Sequence, residues 1–179
     1  MNLILAPLNN INIDVPKLIS EFTTQEKELI DGFLKSRLLD YEENHLLNTK
    51  LLIDEESNQL VGFFSLSTTT VTLTSNYKRN HNVLRSGTFN QYPALNINYF
   101  AIDGSFQKSG IGRALMREVF EIAIHVSDNL VGFNVLTLTS LDSALGFYKK
   151  IGFEEINSNN IKNDHQMLLT VDEIKEILA

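Results

Sequence analysis

The chain has 179 residues, 43% of them hydrophobic and 21% charged, which suits one domain, 1–179, with a buried core. It contains no cysteine, which excludes disulfides, thiolate zinc sites and a cysteine nucleophile. A net charge of −7 argues against a partner that is mainly nucleic acid, because binding a polyanion rests on clustered Lys and Arg.

The N-terminal run Met1–Pro7 lacks a basic leader and is too short for a secretion signal. No apolar stretch approaches the roughly 20 residues of a membrane span. The expectation is a cytoplasmic protein without membrane association. Asn2 to Ile13 is expected to supply a first strand. A helix is expected from Thr24 as N-cap, with Gln25, Glu26 and Glu28 in its first turn and Leu29, Ile30, Phe33, Leu34 and Leu38 at helical spacing. Lys27 stands where a capping box needs Glu or Gln. Asp40 to Leu47 is expected to form a second short helix.

Thr49–Ile53 and Gln59–Ser67 read as two strands joined by the polar turn Asp54-Glu55-Glu56-Ser57-Asn58. Thr69–Thr74 is strand-like, whereas Asn76 to Gln91, with Gly87, is polar and aperiodic. Such a connection in a compact domain is usually functional or mobile. Within it Lys78, Arg79, His81 and Arg85 form the one local basic stretch, either a solvated loop or an edge that attracts an anionic substrate. Pro93 is expected to precede a central strand carrying Leu95, Ile97, Phe100 and Ile102.

That strand leads into Gln107-Lys108-Ser109-Gly110-Ile111-Gly112-Arg113, and an amphipathic helix follows. Glycines at a strand-to-helix junction let backbone amides approach a ligand, and the helix N-terminus favours negative charge, so this turn is expected to hold a pyrophosphate. A Walker loop would need Lys and Ser or Thr after Gly112, where Arg113 and Ala114 stand; a dinucleotide fingerprint would need a small residue in place of Leu115. In the helix Ile111, Leu115, Val119, Ile122 and Val126 form the expected apolar stripe, with Arg113, Arg117 and Glu121 opposite. Arg117 and Glu121 are spaced for a helical ion pair. Val131–Ser140 reads as a strand and Ala144–Ile151 as a helix ended by Gly152, with Lys149 and Lys150 in its last turn. His165–Thr170 reads as a last strand and Val171–Leu178 as a terminal helix.

The form Gln-x-x-Gly-x-Gly, followed by Ala144-Leu145-Gly146-Phe147-Tyr148-Lys149-Lys150-Ile151-Gly152-Phe153, resembles the GNAT N-acetyltransferase superfamily and its A-x-x-F-Y-x-x-x-G-F signature. The resemblance implies an α/β (α+β) fold: a mixed, twisted central sheet with two splayed parallel strands and helices on both faces. It implies acetyl-CoA as cosubstrate and no metal. The backbone of Phe100, Ala101 and Ile102 would pair with the pantetheine arm. Gln107, Lys108, Ser109, Gly110, Ile111, Gly112 and Arg113 would bind the pyrophosphate, Lys108 and Arg113 adding charge. Tyr148 would be the catalytic acid that protonates the departing thiolate, since a phenol of pKa about 10 keeps its proton at neutral pH. The alternative for Tyr148 is an aromatic packed on the sheet beside Phe147.

Many members of the family place a carboxylate base on the central strand, which here offers Asn96, Asn98 and Tyr99, with Asp103 at its far end. An amide is no base, which tilts the expectation toward an α-amino acceptor, of pKa about 7.7–8.0. Asn98 and Tyr99 are candidates for positioning that substrate, a small-molecule or peptide amine. Leu141 stands where many members carry an asparagine that contacts pantetheine. His45, His81, His125 and His165 share no metal-ligand spacing.

Phe33-Leu34, Leu60–Ser67 and Tyr92–Leu95 resemble the branch containing bacterial toxin acetyltransferases, which acetylate aminoacyl-tRNA and are neutralised by an antitoxin. In that reading residues 78–85 would face tRNA. The acidic composition opposes it, as does Tyr99 in place of that branch's usual arginine. A stand-alone N-acetyltransferase therefore ranks first, the toxin second and a silent module binding CoA or a partner third. The sequence leaves a homodimer open.

Overall fold

The polar turn after Asp54 folds strand β2 (Asn48–Asp54) back on β3 (Gln59–Val71) as an antiparallel hairpin, with Asn58 in the left-handed region at φ 53°. The computed structural model describes residues 1–10, 14–25, 28–84, 91–156 and 165–179. Strand β1 (Leu3–Pro7) pairs antiparallel with β2, from Leu3↔Asp54 to Pro7↔Lys50. The expected first strand thus ends at Pro7, where a 3-10 turn (Leu8–Asn10) takes over; residues 11–13 lie outside the described residues. By backbone contacts the chain divides into two units, Met1–Ser67 with Asn98–Arg117 and Thr68–Ile97 with Glu118–Ala179.

The first unit holds β1, β2, most of β3, and three helices: α1 (Val15–Glu21), α2 (Glu28–Ser36) and α3 (Leu38–Glu43). Helix α1 was not expected from the sequence. Its cap is Asp14, whose carboxylate accepts from the Lys17 amide, and Pro16 sits in its first turn, where a missing N–H costs nothing. Among the described residues the helix expected from Thr24 runs from Glu28, and the Thr24 amide donates to Asp31. Glu26 and Lys27 lie outside the described residues. Phe33, Leu34 and Leu38 are buried as the spacing predicts, but Leu29 is 83% exposed. Helix α3 occupies Leu38–Glu43 rather than Asp40–Leu47. The core of this unit joins Leu18, Ile19, Phe22, Leu34, Leu38, Leu51, Ile53 and Phe63, with Phe22 edge-on to Phe63 at 5.6 Å. Each such side chain contributes about 1.5–3 kcal/mol by leaving water.

In the second unit Thr69–Val71 completes β3 rather than opening a new strand. Thr74 caps a short helix α4 (Ser75–Asn80) inside the stretch expected to be aperiodic. Strand β4 (Tyr92–Ile102) begins before Pro93, which lies within it, and pairs in parallel with β5 (Val135–Ser140) from Ala94↔Val135 to Ile97↔Leu138. Residues Val131–Asn134 are not strand: Val131 closes the end of the preceding helix by donating to the Val126 carbonyl and is 54% exposed. Helix α5 (Ile111–Asn129) buries Ile111, Leu115 and Val119 of the expected stripe together with Met116, Phe120 and Ala123, while Ile122 and Val126 are half-buried. Helix α6 (Asp142–Ile151) ends on Gly152 at φ 119°, as expected. Strand β6 (Glu154–Glu155) and β7 (His165–Thr170) are antiparallel, and α7 (Val171–Leu178) opens on a capping box of Thr170 and Glu173. Among the described residues the strand order is β1-β2-β3-β4-β5-β7-β6, a seven-stranded mixed sheet of the expected class.

Candidate active site

In the first unit β4 continues to Ile102, beyond the last parallel pair with β5 at Ile97, and there presents Phe100, Ala101 and Ile102. A 3-10 turn (Gly104–Phe106) follows, and then the glycine-bearing turn. Lys108 (φ 60°) and Gly110 (φ 90°) both take left-handed backbone, which glycine adopts without strain. The Gly110 carbonyl accepts from the Arg113 and Ala114 amides at 3.1 and 3.2 Å, so α5 starts on it. At such a start the first amides, here of Ile111 and Gly112, have no carbonyl within the helix. A Cβ built on Gly110 would meet nothing within 4 Å, and Lys108, Ser109 and Arg113 are exposed around it. Unspent amides, a positive helix end and two cations form a donor set that fits a pyrophosphate. Gln107 is exposed, and its Nε2 donates inward to the Ile102 carbonyl at 3.1 Å and the Thr24 carbonyl at 3.3 Å.

Asn98 is exposed on β4 and accepts from the Ser67 hydroxyl at 2.7 Å. Tyr99 stacks on Phe33, ring centroids 3.7 Å apart and planes 8° from parallel, and Phe33 meets Tyr41 edge-on at 5.4 Å. Burial pushes the Tyr99 phenol above its usual pKa, Tyr41 adds to this, and Arg37 opposes it. The one carboxylate at the end of the strand is committed. Asp103 accepts from the Thr23 amide at 3.0 Å and from the Ser105 amide and hydroxyl.

Tyr148 belongs to the second unit, on α6, where it is 7% exposed and lies edge-on to Phe147 and Phe153. Burial raises its pKa, so the phenol keeps its proton at neutral pH. Leu141, the N-cap of α6, makes no side-chain capping bond. The basic stretch is largely turned to internal use: Lys78 lies over the Tyr92 ring at 5.4 Å, Arg79 bonds Asn76, and Arg85 lies outside the described residues.

The histidines are less idle than their spacing predicts. His81 is held by Glu173 at 2.6 Å and Glu154 at 2.9 Å, and His165 by Glu155 at 2.5 Å and Asp142 at 2.6 Å. The Asp142 and Glu155 carboxylates hold the His165 pKa above its usual range. The partners of His81 lie 73 and 92 residues away, beyond the reach of any local pattern. Among the described residues no group of three or more His, Cys, Asp or Glu is placed to hold a metal ion. None of their helices is long and apolar enough to cross a membrane.

Residues 47–155 match the profile described as an acetyltransferase (GNAT) domain, a span that runs from the β2–β3 hairpin through the glycine-bearing turn to β6. The chain belongs to the GNAT acetyltransferase family. Its fold is shared with several solved structures. One is a bacterial toxin, 20% identical over 99% of this chain and 95% of that one, with a TM-score of 0.81. Another is AtaT complexed with acetyl-methionyl-tRNAfMet, 21% identical over 99% and 100%, with a TM-score of 0.80. A third is a tyrosine-to-phenylalanine mutant of AtaT bound to the C-terminus of the antitoxin AtaR and acetyl-CoA, 20% identical over 100% and 99%, with a TM-score of 0.77. The glycine-bearing turn lies at the start of α5 and Tyr148 in the body of α6.

Proposed function

We propose that the chain, as one catalytic domain, transfers an acetyl group from acetyl-CoA to an α-amino group by direct attack. Acetyl-CoA supplies the activated acetyl thioester. The amides of Ile111 and Gly112, with Lys108 and Arg113, would hold its pyrophosphate, and the backbone of Phe100, Ala101 and Ile102 its pantetheine. Tyr148 would hold a proton at Oη for the departing sulfur, a role that its buried, protonated phenol suits. Asn98 and Tyr99 would position the acceptor.

The observation that carries the choice of acceptor is the commitment of Asp103. Its carboxylate already accepts from Thr23 and Ser105, and β4 itself, Tyr92–Ile102, carries no other. An amine of which a substantial fraction is already neutral needs no strong base. An α-amino group of pKa about 7.7–8.0 meets that condition, and a lysine amine near 10.4 does not. The test is thiol release from acetyl-CoA with paired acceptors. A peptide with a free N-terminus and blocked lysine should react, and its partner with a blocked N-terminus and free lysine should not. Preference for the lysine would overturn the reading, and CoA binding without turnover on any amine would favour a silent module.

A second reading makes that α-amino group part of an aminoacyl-tRNA. The fold match to AtaT complexed with acetyl-methionyl-tRNAfMet, over 99% of this chain and 100% of that one, favours it. Under that reading tightly induced wild type arrests bacterial growth and Tyr148→Phe does not. Equal growth of both would leave small amines and peptide N-termini as acceptors in a cytoplasmic enzyme.

A further inference from the structure

The segment between α1 and α2 is bonded to the residues that precede the phosphate turn, from several directions. Thr23 donates its amide to Asp103 Oδ2 at 3.0 Å, and its carbonyl accepts from the Gly104 amide at 2.8 Å. The Thr24 carbonyl accepts from Gln107 Nε2 at 3.3 Å. Gln25 packs over Gly104 so closely that a Cβ there would collide with its side chain. On its other side the segment is held by α2. Asp31 accepts the Thr24 amide at 3.0 and 3.2 Å and the Thr23 hydroxyl at 3.0 Å, while that hydroxyl accepts from the Gln25 amide at 3.1 Å. Thr24 is 3% exposed and Gln25 takes a left-handed φ of 65°, so a turn with little slack joins the two sides.

We propose that Asp31 and the Thr23–Gln25 strap are positioning residues for acetyl-CoA: they fix Gln107 and Asp103, and so set where the phosphate turn presents its amides. The proposal rests on the turn being the cofactor site. Asp31 and the strap need not touch the cofactor, because the effect passes through Gln107, whose Nε2 is held by the strap and by Ile102. Hydrogen bonds to a carboxylate are the stronger kind, and a turn displaced by a fraction of an ångström loses several amide contacts at once. Release of the strap should therefore weaken acetyl-CoA binding while leaving the chemical step intact.

The test is acetyl-CoA binding by calorimetry to the full chain, for wild type, Asp31→Ala, Gln107→Leu and the double variant, with kcat and KM alongside. Asp31→Ala should raise Kd and the KM for acetyl-CoA about tenfold with kcat within about twofold, and Asp31→Asn, which keeps one acceptor oxygen, should recover part of the loss. The double variant should be no worse than the weaker single one, because both break one linkage. Unchanged Kd in Asp31→Ala, or full additivity with Gln107→Leu, would overturn the proposal. If Asp31→Ala fails to fold, Thr23→Val removes only the hydroxyl links and should still raise Kd. Wild type that binds no acetyl-CoA would instead overturn the assignment of the turn itself.

Discussion

Gly62→Ala tests the packing behind the stretch of β4 proposed to hold acetyl-CoA. Gly62 lies in β3, and a Cβ built on it would sit 2.7 Å from Ile102 Cδ1, 2.9 Å from the Ala101 carbonyl oxygen and 3.3 Å from Leu115 Cδ2. Ile102 could turn its side chain away. The carbonyl belongs to the backbone of β4 and must retreat by a few tenths of an ångström to reach the 3.4 Å of ordinary contact. Overpacking of this kind costs about 1–3 kcal/mol. For a chain of this size each kcal/mol moves Tm by about 2–4 °C, so thermal unfolding should begin about 2–12 °C lower. The displaced carbonyl also lies between Phe100 and Ile102, so acetyl-CoA affinity should fall, measured by calorimetry below the variant's melting range. A variant with unchanged Tm and unchanged affinity would refute both the contact and the role given to that stretch of β4.

Tyr148→Phe should lower kcat about 100-fold or more while acetyl-CoA affinity stays within about twofold; a larger loss of affinity than of rate would remove Tyr148 from the acid role. Gly110→Asp should abolish acetyl-CoA binding: at φ 90° any side chain strains the backbone by about 1–2 kcal/mol, and this one brings a negative charge to a pyrophosphate. Binding at wild-type affinity would show that the turn is not the cofactor site. The pKa of His165 is raised on folding, so its stabilising effect is fully present below the unfolded value of 6.5 and is lost as pH rises through the higher folded one. Its partner Glu155 has a lowered pKa, so the pair also weakens as acid approaches and passes below 4.5. The Tm difference between wild type and His165→Gln should be largest between those limits and shrink toward pH 8.5; a flat difference would mean that the cluster is not ionic.

Much of the catalytic half was legible because its signals are local. The glycine turn, the α6 helix with its left-handed Gly152, and the terminal helix Val171–Leu178 are all encoded within a few residues. Helices α1 and α4 were missed because they are short, at seven and six residues, and are held by caps at Asp14 and Thr74 rather than by an apolar period. The α5 stripe is buried at Ile111, Leu115 and Val119 as its spacing predicts, and packing adds Met116, Phe120 and Ala123 while leaving Ile122 and Val126 half-buried. Leu29 fits the helical period yet faces solvent. Asp103 showed as a lone carboxylate at a strand end, but nothing nearby in sequence announces that Thr23, 80 residues earlier, has claimed it.

The sheet's two outermost strands bear on how the protein behaves when concentrated. An open sheet invites neighbouring molecules to add strands at its margins, the usual route to insoluble aggregates. Here one margin is β1, five residues long and closed by Pro7, which has no N–H to offer. Among the described residues the other is β6, two residues long and made of Glu154 and Glu155, charged side chains whose carboxylates are held by His81 and by Lys149 and His165. Exchange of Pro7 for Val and of Glu154 for Val would therefore leave the fold largely intact while lowering the concentration at which the protein stays clear in solution.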